Sequence, residues 1–364
     1  MKNLFTLCLL LAIQMGFSQH WSVEKANDWY AKQPWLVGAN YAPSYAINQL
    51  EMWQADTFNP QEIEKELAWA KELGFNTMRV FLHHLLWEQD AKGFLERVDT
   101  YLEIADKNGI KTMLVLFDDV WDPMPKLGKQ KEPTPHVHNS GWLQSPGVEL
   151  LKDASRYDEL EAYVVGVISK YKNDDRVIIW DLYNEPGNTN ENSYGKLELK
   201  DKWKYSLALM KKITKWARKI NPKQPITYGA WTGDWIANRE MSEITKYALE
   251  VSDIVSFHSY DNATGFSERA YALEKYNRPL ICTEYMARKT ESTFKNILPI
   301  MKEHKIAAYN WGFVSGKSQT IYPWNSWSKK YTDEPELWFH DIFRKDGSAY
   351  KKEEVEFIKE IVKK

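Results

Sequence analysis

Eight short apolar runs alternating with amphipathic segments predict an α/β protein, a (β/α)8 TIM barrel formed as a single domain. Two further observations support the barrel. Gly74 and Gly109 follow helical segments where a glycine just past the helix end takes positive φ, and a strand follows each at once. Several apolar runs also end on polar or charged residues, which suits parallel strands whose carboxyl ends converge on one rim. An open doubly wound sheet is the competing arrangement.

In chain order, the strand candidates are residues 36–41, 77–82, 112–117, 177–183, 226–231, 254–260, 280–283 and 307–313. Each is short and rich in β-branched or aromatic residues, and each is bounded by turn formers. The helical segments are 60–73, 94–108, 157–171, 197–220, 239–249, 267–276, 292–304 and 353–364. Leu67, Ala70 and Leu73, and likewise Leu102, Ile104 and Ala105, recur at helical spacing. Residues 119–147 are the longest stretch without periodicity, rich in Pro and carrying Trp121 and Trp142. A loop of that length after the third strand folds over the rim. A second aromatic loop, 320–327, follows the eighth strand with Trp324 and Trp327.

Residues 1–18 join Lys2, an apolar core and the small residues Gly16 and Ser18, the pattern of a cleaved secretory signal peptide. The expected mature domain is 19–364, secreted or periplasmic. No other stretch approaches ~20 apolar residues, so no membrane insertion is expected. Cys8 falls in the signal segment, which leaves Cys282 alone and forbids an intrachain disulfide. A net charge of -2 with well-mixed signs gives no footprint for nucleic acid. No linker or repeat divides the chain, and a monomer without cofactor is expected. His83-His84 and His136-Val137-His138 lack carboxylate or Cys at ligand spacing, so no metal is expected either.

The rim of such a barrel would gather Asn40, Tyr41, Arg79, Asp118, Asp119, Asn184, Glu185, Trp231, His258, Tyr260, Glu284 and Trp311. Glu185 and Glu284 close two of the most strand-like runs, and two converging carboxylates suit acid/base or nucleophilic work on a neutral substrate. Asp181 shares strand parity with Glu185 and is expected lower in the barrel as a structural acid. The chain holds 17 Trp and 20 Tyr, many in loops, where flat faces suit the C–H faces of sugar rings. Trp121, Trp142, Trp235 and Trp324 are the stacking candidates.

Asn184-Glu185-Pro186 ending the fourth strand, Glu284 the seventh, Arg79 the second, His258-Ser259-Tyr260 the sixth and Trp311 the eighth resemble the retaining glycoside hydrolases of clan A. Family 5, the cellulase and mannanase family, is closest in pattern. The resemblance implies that Glu185 is the acid/base and Glu284 the nucleophile. Physical reasoning asks that Glu185 be protonated and Glu284 ionised before attack, the latter held as an anion by Arg79 and Tyr260. Asn184 is expected to donate to the hydroxyl beside the anomeric carbon, His258 to lie near Glu185 or the substrate, and Trp311 to floor the pocket. Two departures stand out: Asp118-Asp119 where the family commonly has His, and Met286 where many members have Gly. The expected function is a secreted double-displacement β-glycosidase for plant or algal cell-wall poly- and oligosaccharides. A catalytically inactive glycan-binding barrel is the alternative.

Overall fold

The computed structural model describes residues 20–237 and 239–363. The predicted signal peptide lies outside them. Eight parallel strands form the barrel: β1 (Val37–Tyr41), β2 (Thr77–Phe81), β3 (Lys111–Val115), β4 (Val177–Asn184), β5 (Ile226–Gly229), β6 (Val255–His258), β7 (Leu280–Tyr285) and β8 (Ala307–Asn310). Their order is β5-β4-β3-β2-β1-β8-β7-β6. The parallel bridge between Ala230 and Phe257 joins the two ends, so the sheet closes on itself. Helices lie between successive strands, as the alternating pattern predicts.

Each predicted strand is present, and the differences lie at the ends. β6 and β8 stop at His258 and Asn310, so Tyr260 and Trp311 project from the loops just beyond. Arg79 is the third of five residues in β2, at mid-strand and not at its end. Its parity with Thr77 points it inward, and its length carries the guanidinium up to the rim. The predicted segment 94–108 is the latter part of a longer helix, His84–Lys107, bent where Asp90 leaves helical geometry. The helix predicted from 239 begins at Glu243, capped by the Ser242 hydroxyl on the Thr245 N–H.

Two apolar layers hold the barrel. Strand residues facing outward pack beneath the helices with Leu67, Leu102, Val164, Ile213 and Leu298. Inside the lower barrel, Leu36, Met113, Ile179, Ile254, Ile281 and Tyr309 form a second cluster, floored by Trp29 and Tyr30. These last two come from a helix absent from the sequence expectations, Val23–Ala31. Above this cluster the interior turns polar. Arg79, wholly buried, donates from Nε and Nη2 to Asp181 Oδ2 at 3.0 and 2.7 Å. Asp181 is therefore the structural acid that its parity predicts. Ladder register shifts between Asp181 and Asn184, at Phe257/His258 and between Cys282 and Tyr285. Such irregularities re-aim side chains, and here they fall at the upper rim. Cys282 is a buried free thiol. None of the described helices is long and apolar enough to cross a membrane.

Candidate active site

Glu185 hangs from the end of β4 on a turn of unusual backbone. Its own φ is +44, a region that L-residues seldom occupy, and Gly187 follows at φ +83. Buried Asp119 holds this turn: its carboxylate accepts from the Gly187 N–H at 2.6 Å, Ser206 Oγ at 2.6 Å and the Tyr183 hydroxyl at 2.8 Å. Asp119 is thus an anchor beneath the site. Backbone kept in so sparse a region by surrounding bonds is commonly tied to function.

The Glu185 carboxylate has two neutral partners. His258 Nδ1 lies 2.7 Å from Oε1, and Asn188 Nδ2 donates to Oε2 at 2.7 Å. Burial holds the imidazole neutral by lowering its pKa to about 4. Its Nε2 has no protein partner, so the tautomer protonated at Nδ1 leaves a bare lone pair there instead of a buried N–H. Desolvation raises the Glu185 pKa to about 7, with the Asn188 bond and Arg79 opposing.

Glu284 sits within β7 and is gripped differently. Arg79 Nη1 donates to Oε1 at 3.2 Å, and the Tyr260 hydroxyl donates to Oε2 at 2.7 Å. Burial pushes this carboxyl up and the nearby Glu185 adds to it, while His258, 3.6 Å from Oε2, the Arg79 charge and the Tyr260 hydroxyl oppose it. One carboxylate oxygen of each Glu and a ring nitrogen of His258 lie within 4.8 Å of one another. That closeness suits the ~5 to 5.5 Å separation of a retaining pair and not the ~6.5 to 9.5 Å of an inverting one. Glu185, Glu284 and His258 are also the described residues whose ligand atoms cluster as a metal site would require. His83 and His84 instead bond the Gln144 carbonyl and Ser145 Oγ, and His136 bonds the Tyr322 hydroxyl.

Asn184 is fixed by both ends of its amide: Oδ1 accepts from Arg79 Nη2 at 2.6 Å, and Nδ2 donates to Asp118 Oδ1 at 2.9 Å. One Nδ2 hydrogen remains for a ligand. Asp118 thus occupies the departure at strand three with a defined task, since it also accepts from Trp142 Nε1 at 2.8 Å. A side chain at Gly229 would place its Cβ 3.3 Å from Asn184 Oδ1 and His258 Nε2 and 3.4 Å from Arg79 Nη2, crowding three groups of the site at once. Met286, at φ +78, takes a conformation that favours glycine.

Two cavities meet at Glu185. One, of about 510 Å³, is lined by Glu284, Asn184, Trp311, Trp142, Trp121 and Trp327 among others. The second, of about 580 Å³, is lined by Glu185, His258, Asp261, Arg269 and Thr290. Trp231, Tyr260 and Trp324 border both. Trp121 stacks on Trp327 with ring centres 6.0 Å apart, and Trp311 meets Phe81 and Trp142 edge to face at 5.9 and 5.8 Å. Trp235 is a correction. It lies in neither cavity; it is 3% exposed, packs on Phe257 and donates its indole N–H to the Arg269 carbonyl. An indole whose N–H meets a backbone carbonyl buries as core. The expectations also missed Asn188, Asn139 and Asn190, which line the first cavity; His138 borders it too, in the structural role read for it, with Nδ1 2.8 Å from the Tyr322 carbonyl. The run Asn184 to Asn192 is amide-rich, the one signal that pointed there.

The family model described as Cellulase (glycosyl hydrolase family 5) matches residues 37–338. A mannan endo-1,4-beta-mannosidase A from Emericella nidulans is 27% identical over 96 residues, 26% of this chain. That match spans 23% of the relative's own length. Among solved structures, a β-1,4-D-mannanase from Cryptopygus antarcticus superposes with a TM-score of 0.55 at 15% identity, covering 77% of this chain and 84% of that one. An exo-β-1,4-mannosidase from Opitutaceae bacterium strain TAV5 gives 0.60 at 19% identity, covering 90% and 59%. At these identities the structural likeness is one of fold.

Proposed function

The chain belongs to glycosyl hydrolase family 5, and from that premise we propose that it is a glycosidase of the retaining kind acting on β-glycans, with Glu284 its nucleophile and Glu185 its acid/base. Glu284 attacks the anomeric carbon as the bond to the leaving oxygen breaks, and Glu185 gives that oxygen its proton. A sugar ester on Glu284 results. Water then attacks the same carbon, Glu185 takes the water's proton, and Glu284 departs as a carboxylate with the anomeric configuration retained. The two carboxyls repel, so forming the ester removes one charge and lowers the Glu185 pKa, turning the acid into the base of the second step.

The observation that carries this assignment is the contrast between the paired carboxyls. One is held near pKa 7 among neutral partners; the other is bonded to a cation and a phenol. A glycan-binding barrel has no use for that division. Asn184 donates its free N–H to the hydroxyl beside the anomeric carbon, and Trp311 floors the reacting sugar. Trp121, Trp142 and Trp324 supply further aromatic surface, while Tyr260 and Arg79 hold the nucleophile. Plant or algal cell-wall poly- and oligosaccharides are the substrates proposed, with β-1,4-mannosides first because of the mannan relative. We also propose that residues 1–18 are removed on export to the cell exterior or periplasm and that residues 19–364 act as a monomer.

Product analysis across β-linked mannans, glucans, xylans and galactans, with Glu284→Ala beside the parent chain, tests the reaction. A retained anomer from the parent and none from the variant is the expected result. Equal activity in both, or an inverted product, overturns the assignment.

A further inference from the structure

We propose that the cavity containing Glu284 is a blind pocket for one end of the glycan, so that the enzyme trims a neutral sugar from the non-reducing terminus, with Asn139 reading its hydroxyls; this rests on the reaction proposed above. The two cavities differ in which carboxylate they touch. The nucleophile must lie beneath the sugar whose anomeric carbon it attacks, and the acid must lie between that sugar and the leaving group. Glu284 and Trp311 line the first cavity and not the second, whereas Glu185 lines both. The reacting sugar therefore occupies the first, and the leaving part of the glycan extends into the second.

Loops tied to one another line the first cavity, which holds Asn139 and His138 from one and Trp324 and Trp327 from the other. In the loop 116–147, the backbone N–H groups of Asn139, His136 and His138 donate to the Ser318 carbonyl, Gln319 Oε1 and Ser326 Oγ of the loop after β8 at 2.8 to 2.9 Å. Asn48, after β1, donates to the Gly141 carbonyl at 2.9 Å, and Lys317 pairs with Glu51 at 2.5 Å. The neighbouring cavity that shares Asn139, Trp142 and Trp311 with the first holds only about 20 Å³ and is bounded also by Phe81 and Asp341. That space admits about one water and no second sugar ring.

The groups facing the pocket complete the case. Asn139 is 1% exposed, sits at φ +49, and neither its amide nitrogen nor its amide oxygen has a protein partner. Asn190 Oδ1 and Trp327 Nε1, on the same wall, are likewise unpaired. Buried polar atoms are nearly always bonded, so three such residues around one cavity mark places kept for a ligand's hydroxyls. No Lys or Arg lines this cavity, and its charged residues are Glu185, Glu191 and Glu284. A uronate or sulfated sugar would find no counter-charge there. The second cavity, by contrast, carries Arg269 and Asp261.

The test follows hexasaccharides of β-1,4-mannose and β-1,4-glucose, fluorescently labelled at the reducing end, through the first turnovers of the purified chain. Free monosaccharide and a labelled pentamer, then a labelled tetramer, are expected. Labelled dimers or trimers at the outset overturn the blind pocket while leaving the reaction standing. If neither these nor any activated aryl β-glycoside is hydrolysed, the reaction itself fails and takes this inference with it. Asn139→Ala should lower kcat/KM about 10- to 100-fold, with a small fall in melting temperature because Ala tolerates φ +49 less well than Asn, and Asn139→Asp, which keeps the backbone preference, should lower kcat/KM as well. On a series of deoxy-sugar glycosides, the analogue lacking the hydroxyl that Asn139 meets should slow the parent and slow the variant no further. A variant that loses the same factor on every analogue overturns the role given to Asn139.

Discussion

Glu185 and Glu284 are carried by the same sheet, yet the two strand ends treat their carboxyls in opposite ways. At β4 the backbone leaves the strand at φ +44 and presents Glu185 to an amide and a neutral imidazole, where burial prevails and the proton is kept near pH 7. At β7 the backbone stays in the strand, and Glu284 meets a buried guanidinium. A single fold therefore gives two carboxyls a few ångströms apart different company, an amide and a neutral imidazole at Glu185 and a guanidinium at Glu284, by varying partners and not residue type. The contrast predicts a bell-shaped kcat/KM profile, with the alkaline limb near pH 7 as Glu185 loses its proton and the acid limb set by Glu284.

The contrast can be broken or sharpened one partner at a time. Glu284→Ala removes the attacking group and should lower kcat by about 10^4-fold or more, measured on the best glycan found. Arg79→Met leaves Asp181 buried without its cation and takes from Asn184 and Asn40 the donor that each amide oxygen accepts from. Breaking such a pair should cost about 3 to 5 kcal/mol by urea denaturation, with loss of activity. Glu185→Gln should do the reverse to stability. Because the Glu185 pKa is raised in the folded state, that state binds more protons than the unfolded chain between about pH 4.3 and about 7, so stability falls as pH rises through that window. The variant should thus be more stable than the parent by about 1 to 3 kcal/mol at pH 8, and the gain should vanish below pH 4. Asn188→Ala removes a bond that favours ionised Glu185, so the alkaline limb should move upward by somewhat under one pH unit for a bond of ~1 kcal/mol.

The barrel was legible because its evidence is local. A β-branched run such as Val177 to Tyr183, or a helix stopped by Gly74, declares itself within a few residues. Glu185 and Glu284 were legible for the same reason, since each terminates or nearly terminates such a run. Arg79 looked like a strand terminus because the sequence shows where a side chain starts and not how far it reaches. Trp235 was misread because stacking on a sugar and packing on Phe257 ask for the same residue; the Arg269 carbonyl that decides between them lies 34 positions away. The places of Asn139 and His138 on the cavity wall were beyond reach, because they depend on partners in the loop after β8, more than 170 positions later.

Those cross-ties also set an order in time. Lys317 and Glu51 are 266 residues apart, and the Asn40 side chain reaches the Asn310 carbonyl across 270. Contacts of such separation form late, since the chain must first give up the freedom of the loop between them. A growing polypeptide, made from its amino end, holds Arg79, Asp181 and Glu185 long before it has Glu284, the closing strand or the loop that completes the wall. The site is therefore silent throughout synthesis and becomes whole only when the ring is shut.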